Sequence, residues 1–301
     1  MRSLPLPAVD DMATLNDFVD ASPAYAAGAI RPLCYRVIDR YHAYEKCKGN
    51  PWSITPSGAH INALKSQFHD VYTRTPYGFG FIGAMRREFS GTCPMCGSRG
   101  NGTIDHYLPK GLFPEFSFFS LNLIPCCAKC NNLRNDAFHG AQQDARPVHP
   151  YFDGVAADDS LVEIVIQPDY SAPLFVARPA VDPTHPLHDA VKWHLENIIV
   201  PAGLERHCQY LWGRLIAMPL TLCGRTPTID AIRSAFEIRL NDEMGAYSSL
   251  NSWDACFYLG LHANDDALEY LRAHLAAKLH DTSHREETGI ERALRRRQSL
   301  V

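Results

Sequence analysis

Two C-x-x-C pairs, Cys93-Pro94-Met95-Cys96 and Cys127-Ala128-Lys129-Cys130, carry the most specific chemical signal in the chain. Two thiolate pairs at this spacing can close a tetrahedral Zn2+ site, and four protein ligands leave no open position, so such a site is structural. Cys126 is an alternative ligand beside the second pair, although only Cys127 leaves two residues before Cys130. Between and after the pairs stand groups that a plain zinc ribbon does not need. Asp105-His106 follows a glycine-rich turn, Asn122-Leu123 precedes the second pair, Asn131 follows Cys130 directly, and Arg134 comes one helical turn later. Together they suit metal-assisted cleavage of a phosphodiester. A hard divalent cation, Mg2+ or Mn2+, prefers oxygen ligands, which Asp105 and Asn131 can supply. A neutral His106 beside the ion can take a proton from the attacking water. Asn122 can orient that imidazole, or it can simply bond across its own loop. Arg134 can hold a phosphate oxygen, or it can be an ordinary surface arginine.

The string Asp105-His106-Tyr107-Leu108-Pro109-Lys110, with Asn122-Leu123-Ile124-Pro125-Cys126-Cys127-Ala128-Lys129-Cys130-Asn131-Asn132-Leu133-Arg134 after it, resembles the HNH endonuclease family. That family folds as a ββα-metal finger, here in the form with two C-x-x-C knuckles. The resemblance implies that Asp105 and Asn131 bind the catalytic divalent ion, that His106 is the general base and that Asn122 positions it. Asn131 stands where many members carry histidine, a common variant. The match spans roughly 45 residues with about ten constrained positions, which makes chance agreement a poor explanation. The segment His149-Pro150-Tyr151-Phe152-Asp153 also resembles the stretch C-terminal to the motif in a subset of bacterial HNH proteins, some of which serve anti-phage defence.

The elements of the finger that must position these groups are what the resemblance implies; those that flank it are read from periodicity. A first strand is expected to end near Asp105-His106, a second to run from Asn122 to Pro125, and a helix to open at the second knuckle and carry Asn131 and Arg134. Residues 12–20, 33–46, 59–72 and 79–89 have helical spacing of apolar positions. Residues 161–166 and 174–177 read as a β-hairpin, and helices are expected at 191–199, 204–215, 229–240, 255–261 and 267–279. The expected fold is α+β: a zinc-bound finger at 91–153 between a helical region at 1–90 and a hairpin-plus-helix region at 154–291. Residues 292–301, with four arginines among 292–297, are expected to form an exposed basic tail.

Composition limits the rest. The 301 residues are 46% hydrophobic and 21% charged, an ordinary globular balance. The net charge of -4 means that nucleic-acid binding must rely on a local basic patch, for which Lys110, Lys129, Arg86, Arg87 and Arg99 are the candidates. His139 and His149 read as hydrogen-bonded structural histidines, and Trp193, Trp212 and Trp253 as core. Ten cysteines without a secretory leader point to metal ligation rather than disulfides and to the cytoplasm. No apolar run is long enough to suggest a membrane span. The expected partner is nucleic acid, DNA before RNA. A double-strand break would call for a homo-oligomer, two nicks or a partner. Two competing readings remain: a zinc finger that only binds nucleic acid or protein, and a nuclease subunit that acts only with an ATPase or sensor protein.

Overall fold

Apolar side chains three and four residues apart build the first third of the chain into helices: α1 (Asp11–Ala21), α2 (Tyr25–Ile30), α3 (Cys34–Lys46), α4 (Ala59–Asn62), α5 (Lys65–Arg74) and α6 (Gly80–Glu88). The computed structural model describes residues 1–281 apart from 23, 77, 89, 90, 101, 157 and 158. The expected basic tail at 292–301 lies outside the described residues. Asp10 caps α1 by accepting from the Ala13 N–H at 2.9 Å, which satisfies one of the amides left open at a helix start. Leu15, Phe18 and Val19 of α1, Val37, Tyr41 and Tyr44 of α3, and Phe68, Val71 and Tyr72 of α5 are buried. The helix expected over 59–72 is broken between α4 and α5. Helix α2 had no expectation. Its run Tyr-Ala-Ala-Gly-Ala-Ile has little contrast between its faces, so periodicity is silent there.

The centre holds β1 (Gly102–His106) and β2 (Leu123–Cys127), antiparallel, with Asp105 opposite Ile124 and His106 opposite Leu123. Helix α7 (Ala128–Arg134) continues from β2 without a break, packs against both strands and is capped by the Cys127 sulfur, which accepts from the Cys130 N–H. A second antiparallel pair, β3 (Val162–Gln167) and β4 (Leu174–Pro179), is the expected hairpin. Around it lie α8 (His188–His194), α9 (Val200–Ala202), α10 (Leu204–Ala217), α11 (Pro219–Leu222), α12 (Ile229–Tyr247), α13 (Trp253–His262) and α14 (Asp265–Asp281). Helix α13 lies on β3 so closely that a Cβ at Gly260 would come within 2.5 Å of the Ile164 carbonyl oxygen. Mixed helix and small antiparallel sheets agree with the α+β expectation. Among the described residues no helix is long and apolar enough to cross a membrane.

Residues 107–122, between β1 and β2, make only short 3-10 turns and are held by side chains from the helical region. Phe113, Phe116, Phe118 and Phe119 are buried, and Phe119 stacks on Tyr41 with centroids 4.1 Å apart. Glu115, fully buried, takes Arg40 Nε at 2.7 Å and the Ser57 hydroxyl. Asp11 of α1 accepts from the Ser120 amide at 2.9 Å and the Ser120 hydroxyl at 2.6 Å.

Burial raises the Asp11 carboxyl to about 6, against the Ser120 hydrogen bonds that pull it down. The folded state therefore binds this proton more tightly than the unfolded chain does. Its stabilising share is present below the ordinary carboxylate pKa and is lost as pH rises through the folded value. Asp11→Asn should remove a loss of up to about 3 kcal/mol between pH 4 and pH 7. Denaturant unfolding of both proteins across that range checks it. Parallel pH profiles for the two would refute the assignment.

Candidate metal centre and adjoining polar cleft

The four expected thiols converge. The turn holding Cys93 and Cys96 is closed by the Gly97 N–H donating to the Cys93 carbonyl at 2.8 Å and the Cys93 N–H to the Ser98 carbonyl at 2.7 Å. Cys127 ends β2, and Cys130 lies in the first turn of α7. All four sulfurs lie within 4.8 Å of one another, with Cys93 to Cys130 at 4.0 Å and Cys96 to Cys127 at 3.8 Å. Zinc–sulfur bonds of about 2.3 Å in a tetrahedron imply sulfur–sulfur edges of about 3.8 Å. The cluster could therefore hold a structural metal such as zinc. The Cys127 and Cys130 amides point at sulfurs, 3.3 Å from Cys93 Sγ and 3.4 Å from Cys127 Sγ, which suits thiolates. Cys126 does not join them. Adjacent strand residues face opposite sides, and its sulfur instead sits 3.5 Å from Thr103 Oγ1, where burial pushes the thiol up.

The knuckle is bolted to distant parts of the chain. Gly97 has φ +80°, and a Cβ there would fall 2.1 Å from the Asn251 carbonyl oxygen, so only glycine fits. Trp253 donates its amide to the Gly97 carbonyl at 3.2 Å and its indole N–H to the Cys96 carbonyl at 2.5 Å. Buried His194 donates Nε2–H to the Met95 carbonyl at 2.5 Å and accepts the Val148 amide at Nδ1.

Beside the knuckle lies a polar cleft of about 360 Å3, lined by Tyr72, Ile104, Asp105, His106, Pro109, Lys110, Asn131, Asn132, Asn135 and Asp136. It gathers Asp105, His106, Asn131 and Lys110 of the expected site. His106 Nε2 lies 2.9 Å from the Ser117 carbonyl. A carbonyl only accepts, so Nε2 carries the proton and Nδ1 keeps its lone pair. Burial lowers the imidazole to about 3, outweighing that hydrogen bond, so the ring is neutral at pH 7. Asp105 Oδ1 accepts the His106 amide at 2.8 Å, and Oδ2 accepts Arg134 Nε at 2.5 Å. Burial raises the Asp105 carboxyl against the pull of Arg134. The Asn131 amide reaches the Ile104 carbonyl at 3.4 Å.

Three expected residues stand elsewhere. Arg134 does not fit a phosphate contact: it is 1% exposed, and besides Asp105 it donates to the His106 carbonyl and, at 2.9 Å, to the Tyr107 carbonyl. It sits on the apolar side of α7, under the end of β1. The Asn122 side chain makes no hydrogen bond to His106. It is fully buried, accepts the Leu108 amide at 2.7 Å and donates to the Leu108 and Phe116 carbonyls, so it closes the 107–122 loop and leaves imidazole orientation to Ser117. Lys129 lies outside the cleft and caps the Ala202 carbonyl. His149, as expected, is structural: Nδ1 accepts the Tyr151 amide and Nε2 meets the Tyr44 hydroxyl at 3.0 Å.

Sequence reasoning missed Tyr72, Ser117 and Asp136. Tyr72 looks like one more apolar position of α5, a carbonyl has no side-chain signature, and Asp136 comes after the motif without a periodic cue.

No family model matches the chain, and no solved structure matches it. It is similar to protein ea31 of Escherichia phage lambda, 39% identical over 62 residues, which is 20% of this chain and 21% of that protein. The chain thus spans about one fifth of that relative.

Cys127→Ser should lose bound zinc and unfold at lower temperature, whereas Cys126→Ser should keep about one zinc per chain. Metal analysis with thermal unfolding checks both, and equal zinc content in the two variants would contradict the ligand assignment.

Proposed function

We propose that this protein is a metal-dependent nuclease of the HNH type that hydrolyses phosphodiester bonds, with DNA as substrate. The observation that carries this reading is the state of His106. It is neutral and locked through Nε2 to the Ser117 carbonyl, which leaves the lone pair of Nδ1 to accept a proton on a residue bordering the cleft. A neutral, oriented imidazole is what a general base needs.

The donor set suits a hard divalent cation. Each Asp105 oxygen accepts one hydrogen bond and retains a second lone pair, and the half-buried Asn131 amide offers another oxygen on the same cleft. Asp105 and Asn131 would hold Mg2+ or Mn2+, which when bound supplies charge stabilisation for the phosphorane and the leaving 3′ oxygen. His106 Nδ1 takes the proton of the attacking water. The Ser117 carbonyl keeps the ring in place and stabilises the imidazolium that forms. Lys110 meets a non-bridging phosphate oxygen. Arg134 holds the Asp105 carboxylate and the backbone of His106 in register, a positioning duty in place of the expected phosphate contact. The same chemistry would serve a cytoplasmic anti-phage effector working with an ATPase or sensor protein.

One observation favours the competing reading, a zinc finger that only binds. Asp105 is already paired with a fully buried arginine, as a purely structural aspartate would be. Plasmid cleavage with Mg2+ or Mn2+ separates the two. His106→Ala should lose about 10²–10⁴-fold of the activity while keeping its zinc and its fold. Identical cleavage by both folded proteins would end the nuclease reading.

A further inference from the structure

The ring of Tyr72 is a meeting point that the chemistry above does not use. His106 packs edge-on against it with centroids 4.6 Å apart. Lys110 Nζ lies 4.9 Å from the ring centre, and Arg86 Cζ lies 5.4 Å from it. Arg86 also donates to the Tyr72 hydroxyl at 3.1 Å. The backbone of Lys110 is fixed from the same helix, since its carbonyl lies 3.2 Å from His69 Nε2. Tyr72 of α5 thus gathers Arg86 of α6 and Lys110 of the 107–122 loop at the border of the cleft.

Neither cation is neutralised. Among the described residues no carboxylate lies within salt-bridge distance of Lys110 or Arg86, although Arg40, Arg99 and Arg134 each have one; what sets these two apart is that they share one ring beside the cleft. Two cations gathered on one ring at the edge of a cleft, without an ion-pair partner, offer a place that an anion completes. The two repel each other: burial first, and then Arg86, lowers the Lys110 ammonium below its ordinary value. A π-face attracts cations without discharging them, so the ring can hold both in position and leave their charge available.

Resting on the nuclease reading, we propose that Lys110 and Arg86, braced on Tyr72, form a two-phosphate clamp for the backbone of the substrate strand. Lys110, inside the cleft, takes the phosphate at the reacting position. Arg86, outside the cleft lining, takes a neighbouring phosphate on the α6 side. Tyr72 is a positioning residue in this scheme: it holds the two cations around the ring on which His106 also packs. The N-terminal helices are then part of substrate binding and not only a scaffold for the finger.

The test is duplex binding by the full chain, loaded with zinc and assayed without Mg2+ or Mn2+, so that affinity is read without cleavage. Lys110→Gln and Arg86→Gln should each weaken binding and each lower the slope of log affinity against log salt by about 1. Tyr72→Phe keeps the ring but drops the hydroxyl that anchors Arg86, so it should reproduce only the Arg86→Gln effect. Lys278→Gln, on α14, which packs against α10, α11, α12 and α13, is the charge control. Zinc content and melting temperature are measured for every variant. Failure of wild type to bind duplex overturns the clamp, as do affinities and slopes of both glutamine variants that match Lys278→Gln. Binding in the expected pattern, with no cleavage when Mg2+ is added, keeps the clamp and removes the nuclease chemistry.

Discussion

Four sulfur atoms within 4.8 Å of one another tie together two ends of a segment whose middle has almost no regular structure. Strands of five residues and a helix of seven are too short to persist alone. The cysteines sit before β1, at the end of β2 and inside α7, so closing the cluster fixes all three relative to one another. The cleft lies between β1 and α7 and inherits its geometry from that closure.

A second constraint acts from the opposite side. The 107–122 loop has few backbone ladders, so its polar groups need side-chain partners. They come from far away in sequence: Asp11 on Ser120, Arg40 and Ser57 on Glu115, and Tyr44 on Leu121 and Asn122. These contacts place the Ser117 carbonyl, and that carbonyl selects the His106 tautomer. The imidazole is thus oriented by an atom 11 residues away and, through the loop, by α1 and α3. Removing Arg40 would leave the fully buried Glu115 without its cation, which makes this anchor more sensitive than an exposed ion pair.

What could be read in advance divides along physical lines. Ligand spacing is a local property, so the four cysteines and their two-residue gaps were visible, and alternation along β2 explains why Cys127 rather than Cys126 joins them. Long helices with apolar stripes and the β3–β4 hairpin were visible for the same reason. Roles set by burial were not. Arg134 has the composition of a phosphate ligand, yet its position on α7 turns it beneath β1. Asn122 was legible as important but not as a loop clasp, because its partners are main-chain groups of Leu108 and Phe116. The break between α4 and α5 was hidden because the apolar spacing continues across it. The clustering of Tyr72, Lys110 and Arg86 depends on how α5 and α6 meet the cleft, which no sequence window contains.

The contacts of Trp253 with the knuckle have a thermodynamic consequence. Its amide and indole hold the Gly97 and Cys96 carbonyls, and α13, which it begins, carries β3 and packs against α10, α12 and α14. A metal that binds only the closed knuckle adds its binding free energy to every element that unfolds with that knuckle. Through Trp253, together with His194, the concentration of a metal that the cluster could hold would be linked to the stability of helices that offer no ligand to it, and the C-terminal half of the chain would become part of the metal equilibrium.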